Sequence, residues 1–138
     1  MINKIAALNL SAIGKKITAA GKAEIAIETA EQEYKRFLTM VAVFPGERIV
    51  PNIPADWFWH EHILDTRRYM ADTTGIFGNF LHHQPVYETS NEINQTIKAA
   101  EKRSEELYRY LFKTEMQFAF ADCSDGNEGS CWAVSAEE

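Results

Sequence analysis

Apolar side chains recur along most of this chain at three- to five-residue steps, and that spacing commits it to helices. Ile2, Ile5, Leu8, Ile13 and Ile17 mark a first amphipathic helix that stops near Gly21. A second, over about residues 22–44, places Ile27, Ala30, Tyr34, Phe37, Leu38 and Val41 on one face. Pro45-Gly46 ends it, because proline supplies no amide hydrogen and glycine suits a left-handed cap. An irregular connector over residues 47–53 is anchored by Ile49 and Val50. A third helix begins near Pro54, a residue suited to the first helical turn, and runs to about Thr74 before Gly75. Ile76, Phe77, Phe80 and Leu81 then add one or two further turns.

Thr89, with Glu92 three residues later, reads as a capping box. It opens the longest helix, whose buried stripe is Ile93, Ile97, Ala100, Leu107, Leu111 and Phe118. No stretch reads as a convincing strand, and no segment repeats. The expected fold is all-α: a small bundle of about four helices in a single domain over residues 1–120. Residues 121–138 form a mobile acidic tail with Gly126, Gly129, Cys123 and Cys131.

A chain of 138 residues is long enough for one core and too short for two. No run approaches the ~20 apolar residues of a membrane helix. Lys4, Asn9, Lys15 and Lys16 interrupt the N-terminal apolar residues, unlike a signal peptide, so the expected compartment is the cytoplasm. The formal charge is −6, yet Lys4, Lys15, Lys16 and Lys22 all precede Glu24, the first acid. The basic arm reads as a solvated helix face. The strongly acidic remainder is a poor match for nucleic-acid phosphates, so the partner expected, if any, is another protein.

All four histidines, His60, His62, His82 and His83, fall within 24 residues. Imidazole is the commonest metal ligand and titrates near neutral pH. At ~100° per residue, His60 and His62 point to opposite sides of a regular helix. His62 shares its side with Phe58, Trp59, Thr66, Tyr69 and Thr73; His60 shares the other with Asp56, Leu64 and Arg67. One ion therefore cannot take both. A site assembles if His62 meets His82 or His83 from the following loop, with Asp65 as a carboxylate ligand or outer acceptor. Such a set leaves open positions that suit iron, zinc or copper. The competing reading is a set of structural histidines bonded to hydroxyls and carbonyls. No nucleophile motif, phosphate loop or dinucleotide fingerprint is present, so no catalytic residue and no organic cofactor is assigned.

Cys123 and Cys131 lie too far apart in sequence for the paired spacing of a zinc site. Two thiols on a mobile tail are the simplest reading. A reversible disulfide or an enzymatic modification of the tail is the alternative.

The Tyr34-Phe37-Leu38 helix, Pro51, and Asp56-x-x-Trp59-His60-x-His62-x-Leu64, followed by Tyr69, Asp72, Phe77-Gly78 and His82-His83-x-Pro85, resemble the glycine-rich domain-containing-protein-like family, in its stand-alone bacterial type. The resemblance implies an α-helical domain and marks the histidines as a pattern; it implies no activity. Thr73 stands where that family often has cysteine.

The function expected from these features is that of a small helical binding or interaction protein, leaning away from turnover, whose histidines hold a metal ion or fix the fold. Two alternatives stand beside it. One is a small metal-dependent enzyme using His62, His82 and His83. The other is a recognition domain whose segment with Cys123 and Cys131 is modified by a partner enzyme.

Overall fold

The computed structural model describes residues 1–22, 24–86, 90–121 and 131–135. Among these the chain forms six helices and one minimal sheet: α1 (Ile2–Ala6), α2 (Ser11–Ala19), α3 (Ile27–Val43), α4 (Ile53–Leu64), α5 (Thr66–Phe77), β1 (Gln84–Pro85), α6 (Asn91–Phe112) and β2 (Cys131–Trp132). The chain is mostly helical, but two of the four expected helices are each divided in two.

The first is divided at Asn9, whose Oδ1 accepts from both the backbone N and the Oγ of Ser11. This local bonding competes with continuation of the helix. The third is divided at Asp65, which closes α4 and opens α5 with ψ of 75°. The glycines also exchange roles. Gly75 lies inside α5, and Gly78, at φ 81°, supplies the left-handed cap. The cap of α6 is Ser90, whose Oγ accepts from Ile93 N at 3.1 Å, in place of the expected Thr89 box; Thr89 itself lies outside the described residues.

Helix α4 is the centre of the fold. Asn52 caps it by accepting from Ala55 N, and Pro54 occupies the first turn. Its apolar residues surround the axis where a surface helix would carry one stripe, as burial from several sides requires. The main packing is against α3, where Phe37 and Trp59 approach to 4.9 Å and Tyr34 and Phe58 to 5.9 Å between ring centres. Helix α6 docks on α3 through polar groups at the edge of this face. Tyr108 Oη donates to Glu33 and accepts from Arg36, while Asn52 Nδ2 donates to the other Glu33 oxygen. This leaves the buried Glu33 carboxylate fully engaged.

The stretch beyond Phe120 departs most from expectation. Residues 131–135 are not a loose tail. They pair antiparallel with β1, Gln84 opposite Trp132 and Pro85 opposite Cys131. On their other side Ile49 and Ala133 exchange two backbone hydrogen bonds of 3.0 Å. Ser135 closes the segment by donating to Val41 O. Cys131 and Ala133 consequently join the core. No helix among the described residues is long and apolar enough to cross a membrane.

Candidate metal centre

Two polar systems grow out of α4, one on each side, and they divide three of the four histidines between them. On the core side His62 is 1% exposed. Its Nε2 lies 2.8 Å from Asp72 Oδ2 and its Nδ1 lies 2.7 Å from Tyr34 Oη. A carboxylate only accepts, so Nε2 carries the proton and, in the neutral ring, Nδ1 accepts from the tyrosine hydroxyl. Burial lowers the His62 pKa despite the Asp72 hydrogen bond and charge that oppose it. Burial likewise drives Tyr34 well above its ordinary value, so Tyr34 remains a donor. With both nitrogens engaged, His62 ties α3, α4 and α5 together.

The next link sets the loop. Trp59 Nε1 donates to Tyr69 Oη at 3.0 Å, and that hydroxyl donates onward to Leu81 O at 2.5 Å. Burial raises Tyr69 to about 12, so it too keeps its proton. This relay pins Leu81 and delivers His83 onto the Trp59 ring, 4.7 Å between centres. His82, the adjacent residue, points outward and packs on Phe80.

On the far side of α4, His60 stands one turn beyond Asp56, its Nε2 3.3 Å from Asp56 Oδ1. The His83 ring lies 5.5 Å from the His60 ring. The Cys131 thiol, 2% exposed, donates to Asp56 Oδ1 at 3.6 Å from β2. One donor atom from each of His60, His83 and Cys131 lies within 4.8 Å of the others. Nε2 of His83 is buried without a hydrogen-bond partner among the described residues. Burial and the neighbouring His60 charge both lower the His83 pKa, so its ring is neutral at pH 7 with a lone pair available. Asp56, itself buried, touches two of the three donors and is placed to orient His60 or to receive the thiol proton.

The structure thus groups the residues differently from the sequence reading. His60 and His83 come together, and the partner they meet is Cys131. His62 belongs to a separate network, His82 is exposed, and Asp65 is exposed and paired with Arg68 at 3.1 Å. Cys123 lies outside the described residues. The signal available in sequence was the Asp56–His60 spacing, an i, i+4 pair on one helix face. Nothing local announced Cys131, which arrives through a ladder of two residues per strand.

A family model matches residues 11–110, most of the chain and all of α2 to the body of α6. The chain belongs to the UCP032817-like family. This corrects the resemblance drawn from the Trp-His-x-His and His-His-x-Pro motifs: the glycine-rich domain-containing family is not the one that matches. The matched span contains His60 and His83 and ends before Cys131. Searches among curated proteins and among solved structures return no match.

Proposed function

We propose that this protein binds a borderline-soft divalent metal ion, Zn²⁺ in the first instance, through His60, His83 and Cys131. The observation that carries the reading is the approach of one donor atom from each of His60, His83 and Cys131 to within 4.8 Å of the others, together with a His83 Nε2 that is buried without a hydrogen-bond partner among the described residues. Buried polar atoms are nearly always hydrogen-bonded, and an orphan acceptor costs about 1–3 kcal/mol. A metal–nitrogen bond removes that cost.

The donor set selects among ions. One thiolate with two imidazoles suits zinc or copper and disfavours magnesium and calcium, which prefer oxygen. Zinc takes nitrogen at ~2.0–2.1 Å and sulfur at ~2.3 Å, which for a tetrahedron sets donor separations of roughly 3.4–3.6 Å. From 4.8 Å the three atoms must close by about 1 Å, a motion that χ rotation of His60 and Cys131 supplies. The thiol loses its proton on binding, and Asp56 is the adjacent acceptor. The reading fits a cytoplasmic, reducing setting, where thiols stay available. Its elements come from α4, the β1 loop and β2, so the ion acts as a clasp on the C-terminal segment.

Equilibrium dialysis of the full chain against Zn²⁺, followed by metal analysis, tests this. Wild type should retain about one zinc per chain, His83→Ala and Cys131→Ser far less, and His82→Ala as much as wild type. Equal retention by all four proteins would place the metal elsewhere.

A further inference from the structure

The same donors border a cleft, and the cleft has a chemical character of its own. We infer that an ion at His60, His83 and Cys131 turns its remaining coordination position toward this cleft, which binds a small carboxylate with an aromatic or branched apolar body. The inference rests on the metal reading above and names the ligand class for that site.

Both imidazoles line the cleft, whose volume is about 410 Å³. Cys131 does not line it; buried on β2, the thiol approaches from the core side. With three protein ligands, a four-coordinate ion keeps one position open, the arrangement of catalytic and ligand-binding zinc sites and not of closed structural ones. The protein fills the thiol side, so the open position falls on the side of the two rings that face the cleft.

The walls then define the ligand. Trp57 lies three and four residues before His60 and Glu61, and Leu64 four and three after them, so the four share one face of α4. Trp57, Ile63 and Leu64 make that face apolar, and Leu64, 66% exposed, leaves its side chain open to the cleft. Lys22 stands at the rim with Nζ 5.4 Å from the Trp57 ring centre, and it has no carboxylate partner among the described residues. Glu61, the acid of the cleft, has Lys16 Nζ 3.0 Å from Oε2, an ion pair by distance without hydrogen-bond alignment. The uncompensated charge at the mouth is therefore positive. A metal ion and a lysine call for an anion, and the tryptophan and leucine call for a small apolar body.

Cobalt(II), which substitutes for zinc and is visible in absorption, provides the test with full-length protein and phenylacetate as probe. Phenylacetate should shift the cobalt bands and saturate below millimolar concentration. Phenylacetamide, of the same shape without the charge, should bind at least tenfold more weakly. Leu64→Asp, a surface change that leaves the core intact, and Lys22→Glu should each keep one cobalt per chain and weaken phenylacetate at least tenfold. Bound cobalt with bands indifferent to phenylacetate overturns this inference and leaves the metal reading standing. Equal binding of the amide overturns the anionic class, and unchanged affinity in both variants overturns the cleft. Failure to bind cobalt at all overturns the metal reading itself.

Discussion

Tyr34 and His62 meet at 2.7 Å, hydroxyl to Nδ1, with both side chains buried in the core. The contact joins α3 to α4, and Asp72 continues it to α5. Because Asp72 fixes the proton on Nε2, the tyrosine hydroxyl is the donor that His62 requires. Tyr34→Phe keeps the ring packing on Phe37 and Phe58 and removes that donor alone. Its expected cost is about 1–3 kcal/mol, that of a buried acceptor left unsatisfied. Urea unfolding measures it, and a loss below about 0.5 kcal/mol would show that the hydrogen bond contributes little.

The same burial gives stability a pH dependence. His62 and His83 both have lowered pKa values in the fold, whereas in the unfolded chain each titrates near ~6.5. Below that value the unfolded state takes up protons that the folded state refuses, so stability falls as pH falls. The loss begins near pH 6.5 and levels off below the folded-state values. Between pH 7.5 and 5.5, above the main carboxylate range, the apo protein's unfolding free energy in urea should decrease, by at most about 1.4 kcal/mol per pH unit for each histidine, and the urea midpoint with it. His83→Asn should flatten the slope. A midpoint constant across this window would contradict neutral, buried histidines.

Trp59 packs on Phe37, holds the His83 ring and donates to Tyr69. Trp59→Ala should therefore cost ~3–5 kcal/mol, the range for a buried large aromatic. Where the variant still folds, it should also lose zinc uptake, because Leu81 and His83 lose their support. Unfolding free energy and metal retention together check this, and normal retention would separate the relay from the site.

Sequence alone reads residues 121–138 as a mobile tail, whose removal would cost little. The structure predicts otherwise, since truncation there removes Cys131 and Ala133 from the core and both hydrogen bonds to Ile49. A loss of about 2 kcal/mol follows from that apolar area and those bonds, on the order of 8 °C in Tm for a chain of this length. Calorimetry of the apo proteins measures it without contribution from metal, and an unchanged Tm would show that β2 adds nothing to the fold.

These cases mark where the sequence was legible. The faces of α3 and α6 were plain where Tyr34, Phe37, Leu38 and Val41, and later Ile97, Ala100 and Leu107, follow a helical period and are buried; Ile93 and Leu111 of the expected stripe are half-buried, and Phe118 lies beyond the end of α6 at Phe112. The burial of His62 was legible for the same reason. The break at Asp65 was not, because no proline or glycine marks it and both flanks suit a helix. Gly75 and Gly78 look alike in sequence, and only the folded chain decides which takes the left-handed cap. The site was half legible. His60 and Asp56 share a helix face by spacing, but Cys131 reaches them through a strand of two residues, too short to show an alternating pattern.

X-ray absorption at the zinc edge of the loaded full-length protein addresses the metal centre most directly. The account predicts one sulfur at ~2.3 Å with nitrogen or oxygen neighbours at ~2.0–2.1 Å, including imidazole scattering from two histidines. In Cys131→Ser the sulfur shell should vanish. A spectrum of wild type with only oxygen and nitrogen neighbours, or with a sulfur shell that survives in Cys131→Ser, would contradict it.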